Sequence, residues 1–239
     1  MKIEVIFLVN EKMEDHFFQK NIVVVDLLRA TSTIITALAN GAKSIIPTSN
    51  VEEAVKIAKN FEKSTFLLCG EKNTKIIEGF DLGNSPLDFT EEKVKYKKII
   101  LFTTNGTKVF SLLKHSHNVL VYSTLNLTAV SKKMVEIGDQ WIIICSGRNG
   151  FYDESDSIAA GLLISKLKEN EVEVQLNDAG RTSFILFEKF KDDLKNFLKS
   201  TDHGKILIEN GFEADIDFIS EIDKFNINAA YANNNIGLT

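Results

Sequence analysis

Cysteine and proline are both scarce in this sequence. Its 239 residues include two of each. Two cysteines, Cys69 and Cys145, are too few for a disulfide framework, and a chain of this length can bury a sizeable core without one. We therefore expect two buried thiols. Because there is no proline-rich linker, the sequence shows no clean domain boundary.

Long apolar runs are lacking as well. No stretch approaches the roughly 20 apolar residues that span a bilayer. The first residues, MKIEVIFLVNEKMED, have a short apolar core and no small-residue cleavage site, which is typical of a first strand and not of a signal peptide. We expect a cytoplasmic protein with no membrane partner.

Positive charge is not in excess. Lysine and arginine total 28 against 33 aspartates and glutamates, which gives a net charge of −5. Binding to a nucleic-acid backbone requires a basic face, so no nucleic-acid partner is expected. A small anionic substrate is compatible with this charge, because a local basic site can lie on an acidic protein.

Short apolar runs alternate with helical segments along most of the chain. The predicted strands are residues 3–9, 22–28, 44–47, 65–69, 98–103, 119–123 and 141–145. The predicted helices are residues 31–40, 54–61, 106–114, 127–137 and 157–168. Several strands are continuously apolar, which suits strands buried on both faces. The alternation predicts a layered α/β/α fold with a largely parallel or mixed sheet.

We expect one catalytic unit over residues 1–239. Residues 22–41 and 141–161 share a faint similarity, since both run from a strand through an arginine-bearing turn to a helix and a glycine. Convergence and duplication explain this similarity about equally well. Duplication would give two similar subdomains, of about residues 1–125 and 126–239, with the site between them.

Polar clusters follow four of the predicted strands. They are Asp26 with Arg29, Glu71 with Lys72, residues 103–107 (TTNGT), and Arg148 followed by Glu154 and Asp156. In an open α/β sheet, ligands bind outside the carboxyl ends of the strands. Parallel strands would bring all four clusters to one edge, so the pattern predicts an active site there.

The Asp26 turn and the TTNGT segment each admit a structural and a functional interpretation. Asp26 could cap the next helix, but a cap does not explain Arg29, whose guanidinium suits a phosphate or carboxylate, so function is favoured for this pair. Residues 103–107 fit a turn with a capping asparagine and an anion-binding nest equally well.

The acidic side chains suggest a metal. Carboxylates are hard oxygen donors, and two or three beside a phosphate would suit Mg²⁺. The candidate ligands are Asp26, Glu71, Asp81, Glu154 and Asp156. The histidines show no zinc spacing. His203 is a weaker candidate for a general acid, and surface capping is its favoured interpretation.

Several motifs together resemble one family. DLLRATSTIITALANGA, CGEK, GFDLGNSPLDFT, FTTNGT, CSGRNGFYDESDSIAAG, DHG and ADIDF occur in the order found in 2-phosphosulfolactate phosphatases, over about residues 23–222. The resemblance implies Mg²⁺-dependent hydrolysis of 2-phospho-3-sulfolactate to sulfolactate and phosphate, on a route to coenzyme M. A homodimer is compatible with the sequence.

The residues and the resemblance together give a predicted site. Its catalytic residues are Asp26, Arg29, Glu71 and Asn105. Its substrate-binding residues are Arg29, Lys72, Asn84, Thr104, Gly106, Thr107 and Arg148. The chain departs from the family pattern at Lys72, where an arginine is usual, and at Glu154-Ser155-Asp156, where two acids are usually adjacent.

Two alternatives to this assignment stay open. A haloacid-dehalogenase-like phosphatase also places an aspartate after an apolar strand, but it needs a second acid two residues later, where this chain has Leu28. A non-catalytic module that binds a phosphorylated or sulfonated metabolite would present a similar sheet edge.

Overall fold

A mixed β-sheet forms the centre of the protein, whose computed structural model describes residues 1–10 and 12–239 in full and residue 11 by its backbone alone. Within this described chain the sheet has eleven strands. They are β1 (Lys2–Ile6), β2 (Asn21–Val25), β3 (Ser44–Thr48), β4 (Phe66–Lys72), β5 (Lys75–Ile76), β6 (Lys98–Phe102), β7 (Asn118–Tyr122), β8 (Gln140–Cys145), β9 (Gln175–Leu176), β10 (Ala229–Ala232) and β11 (Asn235–Leu238).

The strands form two parallel groups. Their order is β5-β4-β6-β3-β11-β10-β7-β2-β8-β1-β9. Strands β4, β6 and β3 pair in parallel, and so do β7, β2, β8, β1 and β9. The β10–β11 hairpin joins the groups through antiparallel pairs with β7 and β3. The predicted α/β class with a mixed sheet is confirmed.

The helices connect and cover these strands. They are α1 (Ala30–Ala39), α2 (Val51–Ala58), α3 (Glu91–Val94), α4 (Gly106–Val109), α5 (Leu127–Ile137), α6 (Glu154–Glu169), α7 (Asp178–Phe190), α8 (Leu194–Ser200), α9 (Asp202–Glu209) and α10 (Glu213–Ile219). Helix α5 has the predicted bounds. Helix α6 begins three residues earlier than predicted because Asp153 Oδ1 caps it, accepting from the Ser155 N–H at 2.8 Å. The predicted helix 106–114 is instead α4 followed by a 3₁₀ helix over Phe110–Leu113.

The core lies on both faces of the sheet. Along β2, Val23 and Val25 belong to one apolar cluster, whereas Ile22 and Val24 belong to another. The first cluster is closed by α6 and the second by α1. This two-sided burial is why the strand is continuously apolar and does not alternate with polar residues.

Three further features concern the organisation of the chain. The cysteines Cys69 and Cys145 are buried free thiols, as expected. The predicted boundary between two subdomains lies at about residue 125. Strand β2 pairs both with β7, which precedes this boundary, and with β8, which follows it. The division into two subdomains stays a prediction. In the described part of the chain, no helix is long and apolar enough to cross a membrane.

Candidate active site

A cavity of about 340 Å³ lies where the carboxyl ends of β2, β4, β6 and β8 approach one another. This volume is within the range of small-molecule sites. Its lining includes Asp26, Arg29, Glu71, Asn84, Thr104, Asn105, Arg148 and His203. Members of all four polar clusters therefore meet at one place, although the strands that carry them come from both parallel groups.

Asp26 lies buried between two helix starts. Its Oδ1 accepts a hydrogen bond from the Ala30 N–H at 3.1 Å, at the beginning of α1. Its Oδ2 faces α4 so closely that a Cβ on Gly106 would lie 2.4 Å away. Burial raises the pKa of Asp26 to about 6, while the charge of His203 acts to lower it. The carboxylate is thus fixed in position and its proton is held unusually tightly.

Arg29 is buried and already has a partner. Its guanidinium Nη1 donates to Asp215 Oδ2 at 2.7 Å, and both side chains are 2% exposed. It also lies 4.1 Å from the centre of the Phe212 ring and donates from Nη2 to the Thr74 carbonyl at 3.4 Å. Helix α10 therefore neutralises Arg29 before any ligand arrives.

Glu71 uses both carboxylate oxygens to organise the cavity wall. Oε1 accepts from the Thr104 N–H at 2.8 Å, and Oε2 accepts from the Thr74 N–H at 2.8 Å. The side chain thus joins the end of β4 to the turn after β6 and to the loop before β5. Its predicted place beside Asp26 agrees with the geometry, and the role as a catalytic residue stays a prediction.

Two buried polar atoms at the cavity have no partner among the described residues. They are Asn84 Oδ1 and Thr104 Oγ1. An unsatisfied buried polar group usually costs about 1–3 kcal/mol, so such an atom in a native protein calls for an explanation. Both atoms belong to residues that line the same cavity, so this cavity is the candidate binding site for a polar ligand.

The TTNGT segment forms the predicted turn, but the Asn105 side chain does not cap helix α4, and the anion-binding nest stays a prediction. Thr107 is structural, because its hydroxyl accepts from the Thr103 N–H at 3.0 Å and its own N–H donates to Thr103 Oγ1 at 3.1 Å. Asn105 lines the cavity, and its Oδ1 accepts from the Asn149 N–H at 2.9 Å. The segment is therefore a self-bonded turn that presents Thr104 and Asn105 to the site.

The acids after Phe151 lie in different surroundings. Glu154 is exposed at a neighbouring cleft. Asp156 is buried, with Oδ1 accepting from the Leu27 N–H at 2.8 Å and Oδ2 from the Gly147 N–H at 3.0 Å. Burial, together with the nearby charges of Asp153 and Asp26, holds the pKa of Asp156 well above its usual range. Asp156 ties the Asp26 turn to the Arg148 turn.

Two other predicted residues lie away from the cavity. Asp81 Oδ1 forms an ion pair with Lys63 at 2.9 Å, and Asp81 Oδ2 accepts from the Leu68 N–H at 2.8 Å. Lys72 is exposed at the end of β4. In the part of the chain that the structure describes, no three His, Cys, Asp or Glu side chains are grouped to hold a metal. The five predicted ligands therefore do not form one cluster.

Sequence reasoning missed the pair formed by Asp153 and His203. Asp153 Oδ2 lies 2.8 Å from His203 Nδ1, and His203 lines the cavity and is not a surface cap. Although burial acts to raise the pKa of Asp153, hydrogen bonds from His203 and Ser155 lower it. The two residues are 50 positions apart, so no local pattern indicated the pair, although the sequence already offered His203 as a weaker candidate for a general acid.

The comparison with protein families agrees with these motifs. The family model described as 2-phosphosulpholactate phosphatase matches residues 7–234, which include every lining residue named above. The chain belongs to this family. By its name, the family is one of phosphoric monoester hydrolases.

Individual relatives are similar over most of their length. A protein named probable 2-phosphosulfolactate phosphatase from Caldanaerobacter subterraneus is 42% identical over 87% of this chain and 86% of the relative. One of that name from Thermotoga petrophila is 41% identical over 85% of each chain. Another from Clostridium acetobutylicum is 36% identical over 99% of this chain and 100% of the relative.

Proposed function

We propose that this protein is a Mg²⁺-dependent phosphatase that hydrolyses 2-phospho-3-sulfolactate, or a related phospho-hydroxy acid, to the hydroxy acid and phosphate. The observation that carries the proposal is the meeting of the family's motif residues in one cavity, which is lined by the buried Asp26 and by Asn84 and Thr104 with their unpartnered atoms. The names of the relatives support the same substrate.

The cavity offers groups suited to an ester of several negative charges. Arg148 lines it with a half-buried side chain, for which no partner is found among the described residues. The Thr104 hydroxyl can donate to a phosphoryl oxygen. Arg29 also lines the cavity, but Asp215 already balances its charge. Fixed donors and charges of this kind favour a transition state in which charge develops on the phosphoryl oxygens.

A divalent cation fits this cavity through oxygen atoms. Mg²⁺ in phosphoryl-transfer sites is usually held by one or two carboxylates, with water and substrate phosphate completing its shell. Asp26 Oδ2 and the unpartnered Asn84 Oδ1 would hold it, with Glu71 contributing charge nearby. When bound, the cation neutralises charge on the phosphoryl group. Asp81, Glu154 and Asp156 lie outside this proposed set.

Asp26 has to be ionised to take part. As a ligand, as a base for the attacking water or as a nucleophile, it acts through its carboxylate. With a pKa near 6 it is mostly ionised at neutral pH, and it keeps more basicity than an exposed aspartate. The three roles share this requirement, so a charge-neutral substitution at Asp26 tests the site as a whole.

The decisive experiment is phosphate release by the purified protein. We expect turnover of 2-phospho-3-sulfolactate in the presence of Mg²⁺ and its loss with a chelator, restored by added Mg²⁺. A panel of phospholactate and phosphoglycerate would give the substrate range. Binding of these esters without release of phosphate, with Mg²⁺ present, would instead support a metabolite-binding module and contradict the proposal.

A further inference from the structure

The Asp153–His203 pair is a side-chain cluster that the functions assigned above leave unused. His203 is 15% exposed by its side chain and Asp153 is 5% exposed, so the pair lies mostly out of water. Nδ1 of the imidazole is hydrogen-bonded to Asp153 Oδ2 at 2.8 Å. For Nε2 no partner is found among the described residues, and the ring lines the cavity that holds Asp26.

Rigid elements hold both members of the pair. Asp153 is the N-cap of α6, with its other oxygen accepting from the backbone and hydroxyl of Ser155. His203 lies in the first turn of α9, where Thr201 Oγ1 caps the helix by accepting from the Gly204 N–H at 3.0 Å. A Cβ on Gly204 would approach the Leu198 carbonyl to 1.9 Å, so α9 starts in close contact with α8. The backbone that carries the imidazole is therefore held in place, and the hydrogen bond with Asp153 orients the ring.

This arrangement is that of an imidazole oriented by a carboxylate. A carboxylate that accepts from Nδ1–H fixes the tautomer and stabilises the imidazolium, which leaves Nε2–H to act on a ligand. A surface cap, the interpretation favoured by the sequence, would not need a buried partner 50 residues away. It would also not place the ring in the wall of the cavity that Asp26 lines.

We infer that His203 is the general acid that protonates the leaving oxygen of the ester, with Asp153 as its positioning residue. This inference rests on the proposed phosphatase function and deepens it. The leaving group of a phospho-hydroxy acid is an alkoxide, which is a poor leaving group unless it receives a proton as the bond breaks. A positioned acid contributes roughly 10²- to 10⁴-fold to such a step.

The proposed step exchanges one bond to phosphorus and transfers one proton to the leaving oxygen. The bond from phosphorus to the ester oxygen breaks with its electron pair on oxygen, and the proton of His203 Nε2 passes to that oxygen to give the hydroxy acid. A water oxygen forms the new bond to phosphorus. One proton of this water then returns to the neutral imidazole, directly or through solvent. The products are the hydroxy acid and hydrogen phosphate.

The test compares esters whose leaving groups differ in their need for a proton. Purified wild-type protein and the His203→Gln variant are assayed with Mg²⁺ on 2-phospho-3-sulfolactate, phospholactate and 4-nitrophenyl phosphate. We expect the variant to lose on the order of 10²- to 10³-fold in kcat on the alkyl esters, with KM changed less than about 3-fold. The loss on 4-nitrophenyl phosphate is expected to be less than about 5-fold, because its phenolate leaves without a proton.

The Asp153→Asn variant distinguishes the role of Asp153 in orienting His203 from its role in capping helix α6. Asparagine caps helices as well as aspartate does, so α6 keeps its cap while the imidazole loses its charged partner. We expect the same leaving-group pattern as for His203→Gln with a smaller loss of about 10-fold, and an unchanged melting temperature. His115→Gln and Asp192→Asn, both at exposed positions, are the matched controls and should behave as wild type.

The outcomes are distinct. An equal loss on alkyl and aryl esters, or a rise in KM without a fall in kcat, would overturn the general-acid role of His203. If the wild type hydrolyses the alkyl esters but not 4-nitrophenyl phosphate, the kinetic constants of the His203→Gln variant on the alkyl esters distinguish the two roles. A binding role of His203 predicts a higher KM, whereas an acid role predicts a lower kcat. If the wild type with Mg²⁺ releases phosphate from none of the three esters, the proposed phosphatase function fails, and the inference about His203 fails with it.

Discussion

The Asp26–Arg29 turn and the turn over residues 146–153 follow neighbouring parallel strands and look alike in sequence, yet they are built differently. In the first turn, Arg29 is 3% exposed and paired with Asp215. In the second, Arg148 is half-buried, and no described residue pairs with its side chain. The same strand–arginine–helix pattern therefore carries one arginine with a fixed partner and one that is available to a ligand.

The difference follows from what each turn packs against. The first turn is covered by Asp215 of helix α10 and by Phe212, which precedes this helix. The second turn lies at the rim between the cavity and a neighbouring cleft. A buried charge has to be paired, because its desolvation cost is otherwise several kcal/mol. An arginine at the rim loses less of its hydration on folding, so it can stay unpaired until a ligand replaces the water around it. A shared local pattern thus does not establish a shared role.

The largest expected effect comes from breaking the fixed pair. Asp215→Ala leaves the guanidinium of Arg29 buried without its carboxylate, and also removes the acceptor of the Ser85 hydroxyl. Loss of one partner of a buried pair costs about 3–5 kcal/mol in the free energy of unfolding. Urea denaturation should show this loss. The matched change Arg148→Ala should stay within about 0.5 kcal/mol of wild type. Equal losses in the free energy of unfolding for Asp215→Ala and Arg148→Ala would refute the contrast between the two turns.

The next effect is on turnover and concerns the acid of the first turn. Asp26→Asn keeps an acceptor for the Ala30 N–H but removes the charge that faces the cavity. We expect kcat/KM for phosphate release to fall on the order of 10²- to 10³-fold, as when a key electrostatic group is removed. Asp178→Asn, at an exposed helix start, is the control. Near-wild-type Mg²⁺-dependent activity of Asp26→Asn would show that the site is assigned to the wrong turn.

The same aspartate should give a pH dependence of stability. Its pKa is raised from 3.8 to about 6 by burial, so the folded protein binds this proton more tightly than the unfolded chain. The stabilising contribution is complete below about pH 4 and is lost as pH rises through about 6, by up to about 3 kcal/mol. In metal-free protein, Asp26→Asn should therefore gain stability over wild type near pH 7.5 and not near pH 4. A difference that does not change with pH would exclude this cause.

Much of the fold was readable from the sequence, because the strands are buried on both faces. Continuous apolar runs such as residues 22–25 and 141–145 leave few alternatives to a central strand. The β10–β11 hairpin was missed, although Asn233 and Asn234, with φ of 52° and 58°, form the kind of turn that favours asparagine. Its strands are short and contain small residues, so the turn signal was stronger than the strand signal.

The site was readable only in part. Asp26, Glu71, Asn84 and Asn105 follow strand ends or lie in unusual motifs, and the topology brings them together. The pairing of Arg29 with Asp215, 186 residues later, and the placing of His203 against Asp153 depend on how α9 and α10 pack. No local pattern encodes such packing. For the same reason, the sequence could not show that Asp81 is paired with Lys63 and lies away from the cavity.

The smallest expected effect is the sharpest test of the second turn. If Arg148 stays unpaired until it binds the ligand, Arg148→Ala should raise KM for 2-phospho-3-sulfolactate about 10-fold, which corresponds to about 1.4 kcal/mol, with kcat little changed. Arg148→Lys should recover part of this loss, since it keeps the charge and loses the planar fork. The effect should shrink for phospholactate if the arginine meets the sulfonate, and should persist if it meets the phosphate or carboxylate. A fall in kcat with unchanged KM would place Arg148 at the reacting phosphoryl group, and the two turns would then be more alike than their packing indicates.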